Sequence, residues 1–239
     1  MNYLKNTWLL MGCLAVMLLP APEAGALVIF SDDFDPDQDP MLVADIGTYA
    51  AGTDTIATSG YLQTFGSAGH NQARGVATQL SPAGTQLQWD WDWRLLSADS
   101  GIQNRPIAGL TEDLVGTRAV GLWVRYIGPV ATGDLFYEAP GENWTDSGID
   151  VPVNNGFEHW TLNYTVGQAT YTLSGPGFSN AVFAVEDPAS SIVGPWALGN
   201  GTSNSQWDNF VLQVIPEPTS VALLGLGVCL ALVRPRRDG

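Results

Sequence analysis

An alternating stretch near the middle of the chain, Gln88-Trp89-Asp90-Trp91-Asp92-Trp93, is the strongest indicator of fold class. Successive side chains of a β-strand point to opposite faces, so this stretch predicts a strand with three tryptophans on one face and aspartates on the other. Two interpretations are open. The indoles of Trp89, Trp91 and Trp93 form an aromatic platform that stacks on sugar rings, or they fill a sandwich core while the aspartates face solvent.

Short alternating segments separated by Gly, Pro, Asn, Asp and Ser turns continue on both sides of this strand. The predicted strands are Leu27–Phe30, Thr85–Leu95 with the alternating stretch inside it, Arg118–Ile127, His159–Val166, Ala169–Ser174, Ala181–Val185 and Asp208–Val214. No long segment has helical periodicity, although Gly109–Val115 is expected to hold one short helical turn. Many strands without crossover helices predict an all-β fold, an antiparallel sandwich or barrel.

Two further stretches resemble the concanavalin/laminin-G-like jelly rolls. Phe157–Tyr164, the Gly167 turn and Ala169–Gly175 look like the tryptophan-containing strand and following hairpin of that superfamily. Ser31-Asp32-Asp33-Phe34 and Trp207-Asp208-Asn209-Phe210 look like its paired terminal strands. The resemblance implies that residues 27–215 form an antiparallel β-sandwich of the jelly-roll type, with a lectin-like role.

Acidic residues fall at alternate positions near the start of this domain: Asp33, Asp35, Asp37 and Asp39, with Asp32 beside them. Oxygen-rich spacing suits Ca²⁺, but the EF-hand glycine is missing and the twelfth position is Ala44. The jelly-roll resemblance implies a structural Ca²⁺ where the first and last strands meet, with Asp33 and Asp208 as ligands. The alternative is an ordinary acidic loop.

The charge of the chain excludes some partners. The formal net charge is -15, and residues 27–215 carry 21 acidic residues against 5 arginines, which is -16. Such a surface repels phosphate backbones, so no nucleic-acid binding is expected.

The two cysteines, Cys13 and Cys229, lie in hydrophobic terminal segments, so the central domain has neither a disulfide nor a thiolate.

The N-terminal 26 residues have the composition of a secretory signal. Lys5 precedes the apolar stretch Trp8–Leu19, and Ala24-Gly25-Ala26 places small residues at the cleavage spacing. We therefore expect a signal peptide over residues 1–26 and export of the domain that follows.

The C-terminal residues 216–239 combine three features in a fixed order. Pro216-Glu217-Pro218 is followed by an apolar segment over residues 220–233 and by the cations Arg234, Arg236 and Arg237. A short transmembrane helix with its cations on the cytoplasmic side is expected. This order resembles the PEP-CTERM sorting domain of Gram-negative bacteria. That resemblance implies passage through the inner membrane, processing by an exosortase and delivery to the cell surface or an exopolysaccharide matrix; the alternative is a tail anchor that is never cut.

Catalytic signatures are missing from the sequence. It contains no Gly-x-Ser-x-Gly elbow, P-loop, His-Glu-x-x-His or dinucleotide glycine motif. Single acids such as Glu138, Glu142, Glu158 and Glu186 do not form the clustered arrangement of jelly-roll glycosidases. We expect a non-catalytic surface or matrix protein that binds a glycan; the alternative is a secreted carbohydrate-active enzyme.

Overall fold

The computed structural model describes residues 25–34, 44–50, 56–57, 61–64, 71–96, 103–104, 106–115, 117–127, 130–140, 142–153, 155–185, 187–199 and 204–216. Strands occupy most of these ranges, and no helix occurs in them. The strands are β1 Leu27–Asp32, β2 Thr48–Tyr49, β3 Ile56–Ala57, β4 Leu62–Thr64, β5 Asn71–Val76, β6 Ser81–Pro82, β7 Gln86–Leu96, β8 Gln103–Asn104, β9 Ile107–Thr111, β10 Arg118–Ile127, β11 Thr132–Ala139, β12 Glu142–Pro152, β13 Glu158–Thr165, β14 Thr170–Gly175, β15 Phe178–Ala184, β16 Ser191–Ile192, β17 Gly194–Gly199 and β18 Asn204–Val214.

Two large antiparallel sheets form the sandwich. Sheet 1 has the order β15-β14-β13-β7-β18-β4-β3, and β1 also pairs with β18. Sheet 2 has the order β12-β11-β10-β9-β17-β5-β2, and β8 also pairs with β10. Strands that are distant in sequence are therefore neighbours in space, as in a jelly roll, and the compact unit spans Val28–Val214.

The core between the sheets is rich in tryptophan. Trp89, Trp91 and Trp93 are 0%, 0% and 1% exposed, and Trp91 pairs across strands with Trp160. Trp89 stacks on Trp91 with ring centroids 4.1 Å apart, and Trp93 stacks on Trp207 at 4.3 Å. The core interpretation of the alternating stretch therefore holds. The glycan platform is wrong for these three residues, because an indole buried between two sheets has no face left for a sugar.

The strands predicted from alternation are confirmed, most of them within two residues of the predicted ends. The terminal strands β1 and β18 pair as the jelly-roll resemblance implies, and Phe34 packs edge-on against Phe210 with centroids 5.2 Å apart. The helical turn expected at Gly109–Val115 is wrong. Residues up to Thr111 belong to β9, whose five residues Ile107–Thr111 are all buried within sheet 2, and a turn follows.

The terminal segments fall almost wholly outside the described residues. Residues 1–24 of the predicted signal peptide and residues 217–239 of the predicted sorting tail, with its helix over 220–233, are not covered. Among the residues that are described, no helix has the length and apolarity needed to cross a membrane.

Candidate functional site

The outer face of sheet 1 is polar, as the alternating stretch predicts. The hydroxyl of Thr161 donates to Asp90 Oδ1 at 2.7 Å, and His159 Nδ1 lies 2.8 Å from Asp92 Oδ1. Asn209 Nδ2 donates to the other oxygen of Asp92 at 2.8 Å. These side chains satisfy one another across neighbouring strands, which is the usual state of a solvated sheet face.

The outer face of sheet 2 is aromatic instead. A second hydrophobic cluster, separate from the main core, lies on this face, and we call it the outer cluster; it consists of Ile107, Trp123, Phe136, Trp196 and Leu198, with the partly buried Trp144 packed against it. A sheet in a two-layer sandwich needs one apolar face to fold. The five members of the outer cluster are only 5–7% exposed, whereas Trp144 is partly exposed, so the candidate binding site on this face is Trp144 and the side chains beside it.

Strand β10 shows how the sequence builds both faces. Leu122 and Val124 point into the main core, whereas Trp123 belongs to the outer cluster and Arg125 is partly exposed. The Arg125 guanidinium lies 4.4 Å from the centroid of the Phe136 ring and is 2.9 Å from Asp134 Oδ2. The run reads as continuously apolar in the sequence, so alternation alone does not reveal its outward-facing tryptophan.

Arg118 is the centre of the polar part of this face. Its guanidinium carbon lies 5.1 Å from the centroid of Trp144 and 5.5 Å from that of Trp196. The same guanidinium donates to Glu138 Oε1 at 2.7 Å. The arginine side chain is 28% exposed and the glutamate side chain 9% exposed. An arginine is thus held between two indoles by a charge-assisted hydrogen bond while part of it still faces solvent.

A glycine on β10 leaves room for this arrangement. Gly121 on β10 is the register partner of Gly109 on β9. A Cβ atom on Gly121 would lie 2.7 Å from Glu138 Oε2, 3.4 Å from Trp144 Cη2 and 3.6 Å from Arg118 Cδ. The missing side chain therefore lets these three residues pack directly on the sheet.

An open groove lies at the β2–β5 edge of the same sheet. It has a volume of about 600 Å³ and is lined by Thr48, Tyr49, Ala50, Arg74, Val76, Leu114 and Val115. Arg74 Nη1 donates to the carbonyl oxygen of Leu114 at 2.9 Å, which ties the loop after β9 to strand β5. Asp113 Oδ1 accepts hydrogen bonds from the backbone of Val115 and Thr117, so the loop is held in place.

A group of carboxylates lies beside the first strand. Ligand oxygens of Asp32, Asp33 and Asp45 lie within 4.8 Å of one another. Asp32 is buried, and it accepts hydrogen bonds from Phe34 N at 2.7 Å and from the Tyr49 hydroxyl at 2.6 Å. Burial raises the pKa of Asp32 to about 6, although these two hydrogen bonds lower it.

The predicted metal ligands are only partly brought together. Asp33 belongs to this carboxylate group, and Asp208 does not. Burial raises the pKa of Asp208, and the charges of Asp92 and Asp33 add to the effect. Asp35, Asp37 and Asp39 lie outside the described residues, as do all the predicted sorting residues except Pro216.

Comparison with known proteins supports the fold but does not show a family. No family model matches the chain, and no curated protein matches it. A sialidase structure matches with a TM-score of 0.52 at 8% identity over 85% of this chain. The binding domain of botulinum neurotoxin serotype D gives 0.49 at 9% identity over 84%, and the globular domain of T. cruzi calreticulin gives 0.48 at 11% over 85%. This chain spans 20% of the sialidase and 51% of the neurotoxin structure. At such identity, the sialidase match shows a shared fold alone.

Proposed function

We propose that this protein is a non-catalytic carbohydrate-binding module whose ligand lies on the outer face of sheet 2. The observation that carries the proposal is the Arg118 guanidinium, held between the indoles of Trp144 and Trp196 and bonded to Glu138. It replaces the platform predicted on β7, whose indoles are buried in the core.

The chemistry of this face suits a sugar. A pyranose ring has an apolar C–H face, which packs on indole, and a rim of hydroxyl groups, which need directional hydrogen bonds. Trp144 is partly exposed, and Arg118 makes one side-chain hydrogen bond within the described part of the chain although a guanidinium carries five N–H donors. A mostly aromatic surface with a few fixed polar groups is the usual composition of a small-ligand site.

A polysaccharide panel tests the proposal. The full-length chain is run through native gels that contain neutral or acidic polysaccharides, and retardation is measured. Trp144→Ala should abolish the retardation. Phe157→Ala, which removes a partly exposed aromatic side chain elsewhere, should leave it unchanged. If both variants keep their melting temperatures and both still bind, the face of sheet 2 is not the site.

Non-catalytic character is part of the proposal. Glycoside hydrolysis uses two carboxyl groups across the scissile bond. On this face Glu138 is bonded to Arg118 and Asp134 to Arg125, which favours a binding role for both acids. Release of reducing sugar from any retained polysaccharide, lost in Glu138→Gln, would instead identify a carbohydrate-active enzyme.

The cellular role that we propose combines export with sorting. The signal predicted over residues 1–26 and the tail from Pro216 to Arg237 support delivery to the cell surface or an exopolysaccharide matrix. Mass spectrometry of the protein exported by its native host tests this. A new C-terminus near Pro216–Pro218 would support exosortase processing, whereas an intact Arg236-Arg237 tail in the membrane fraction would identify a tail anchor.

A structural Ca²⁺ at Asp32, Asp33 and Asp45 also belongs to the proposal. Hard cations prefer oxygen ligands at about 2.3–2.6 Å, so oxygens that lie within 4.8 Å of one another can share one ion. Asp208, the second ligand predicted from the sequence, does not belong to this carboxylate group. Scanning calorimetry should show a rise in melting temperature with Ca²⁺ that Asp33→Asn removes; the same melting temperature with Ca²⁺ and with chelator would exclude the ion.

A further inference from the structure

We infer that the free edge of strand β15 is an interaction surface for a second copy of this chain. The two copies pair antiparallel through this edge and extend sheet 1 from one domain into the next. The inference goes beyond the proposed function and does not depend on it. It follows from the chemistry of the sheet edges, from the hydrogen bonds of β15 and from the distribution of charge.

Three of the four edges of the large sheets are protected against pairing. In the part of the chain that the structure describes, sheet 1 ends at β15 and β3, and sheet 2 ends at β12 and β2. Strands β2 and β3 have two residues each, which is too short a template for another chain. Strand β12 is long, but it carries Glu142, Asp146 and Asp150, and its register shifts against β11. Charges and bulges of this kind oppose the addition of another strand.

Strand β15 lacks these features over its second half. Its residues Phe178–Ala184 include no charged side chain, and among the described strands it pairs with β14 alone. The irregular part is confined to its start, where Asn180 has a φ of 51° and the register shifts near Gly175. From Ala181 to Ala184 every residue is paired in sequence with a residue of β14. This regular part, residues Ala181–Ala184, is called the β15 edge segment below.

The backbone of the β15 edge segment offers hydrogen-bonding groups that β14 does not use. The Val185 N–H donates to the Ala169 carbonyl oxygen at 2.9 Å, so the odd-numbered residues of β15 bond to β14. In an antiparallel pair such positions alternate along the strand, so the N–H and C=O groups of Val182 and Ala184 point away from β14. The Val182 side chain is 66% exposed, which shows that this position is open to solvent.

Charge favours a second copy as the partner. The stretch Trp160–Val185 contains no Asp, Glu, Lys, Arg or His, and it is the longest such stretch in the chain. It includes all of β14 and β15, so the strands at this edge carry no charged side chain. Two copies that each carry -16 over residues 27–215 repel one another, and the repulsion is smallest where both surfaces are uncharged. A basic partner would be attracted to the acidic surfaces instead, away from this edge.

Two-fold symmetry determines how the copies pair. The register that leaves the irregular residues around Asn180 outside the pairing joins Val182 to Ala184 of the partner subunit, and symmetry supplies the reverse pair. The two-fold axis then lies beside Phe183. Because so short an edge buries little surface, the dimer is weak and forms at micromolar or higher concentrations.

Sedimentation velocity of the full-length chain from about 1 µM to about 200 µM tests the inference. The wild type should change from monomer to dimer within this range. Val182→Glu should raise the dimer dissociation constant by about tenfold or more, because it places two carboxylates close together across the axis. Val115→Glu adds the same charge at another largely exposed valine, and it should leave the dissociation constant within about twofold of the wild-type value.

Hydrogen exchange at the two ends of this concentration range locates the interface. The amides of Val182 and Ala184 should exchange fast in dilute protein and about tenfold more slowly at the highest concentration. Amides of the β12 edge should exchange equally fast at both concentrations. A monomer at about 200 µM, unchanged association in Val182→Glu, or equal exchange of the β15 edge segment at both concentrations would overturn the inference. The proposed function is tested separately, because Trp144→Ala should abolish polysaccharide retention and leave the dimer intact.

Discussion

Replacing Asp32 with asparagine should change how the stability of this protein depends on pH. Asp32 is 1% exposed, and burial raises its pKa from 3.8 to about 6. Burial is the largest cause of this shift; hydrogen bonds from Tyr49 and Phe34 lower the pKa, and the nearby charges of Asp45 and Asp33 add smaller increases.

The sign follows from proton binding in the folded and unfolded chains. Between about pH 4 and pH 6 the folded protein holds a proton on Asp32 that the unfolded chain has released. The free energy of unfolding therefore falls as pH rises through this window, opposite to the effect of a salt-bridged aspartate. A shift of about 2 pKa units at about 1.4 kcal/mol for each unit corresponds to a loss of roughly 3 kcal/mol at neutral pH.

Urea unfolding of the full-length chain at about pH 4 and about pH 7, without calcium, measures this loss. Asp32→Asn removes the buried charge and keeps the shape of the side chain. Between these two pH values, the free energy of unfolding of the variant should therefore fall by about 3 kcal/mol less than that of the wild type. Asp150→Asn, the same change at an exposed position on β12, should track the wild type. Parallel pH profiles for the wild type and Asp32→Asn would refute the reasoning.

Three further predictions concern the outer cluster and the core. Gly121→Ala should weaken binding of the retained polysaccharide in titration by about tenfold, because the added Cβ would lie 2.7 Å from the Glu138 carboxylate and displace it. Gly156→Ala, whose added Cβ meets nothing within 4 Å, should leave the affinity unchanged. Arg118→Lys should weaken the same binding severalfold although the charge is kept, since an ammonium cannot stack between two indoles as a planar guanidinium does. Trp91→Ala should cost about 3–5 kcal/mol in urea unfolding. Trp91→Phe should cost less than half of that, because it removes a buried indole N–H that has no hydrogen-bond partner.

The parts of the fold that could be predicted share one property. Strands β7 and β13 alternate buried and partly exposed positions almost perfectly, and both were identified from the sequence. The pairing of the first and last strands was predicted from a resemblance of two short motifs, which lie on β1 and β18 and the residues just after β1. The outer face of sheet 1 is polar, so apolar and polar residues alternate along its strands and the alternation is visible in the sequence.

Sheet 2 was mostly missed because its strands lack that pattern. All five residues of Ile107–Thr111 are buried, so β9 shows no alternation. Strand β17 reads Gly194-Pro195-Trp196-Ala197-Leu198-Gly199, and its glycines and proline resemble a turn. Strand β12 carries three acidic residues and a glycine, which indicate a loop. The outer cluster is built on these strands together with β10 and β11, so only isolated tryptophans pointed to it in the sequence.

The two sets of tryptophans differ in what the fold requires of them. Trp89, Trp91 and Trp93 fill the space between the sheets, and a sandwich without them would lose its core. The indoles of Trp123 and Trp196 belong to a separate buried cluster on the far side of sheet 2, and the partly exposed Trp144 packs against it. The arginine that lies over Trp144 and Trp196 stands outside the core between the sheets, and it is partly exposed together with Trp144. A ligand that packs on the indole and bonds to the guanidinium accounts for the exposure of these two side chains. For this reason we assign recognition to this face.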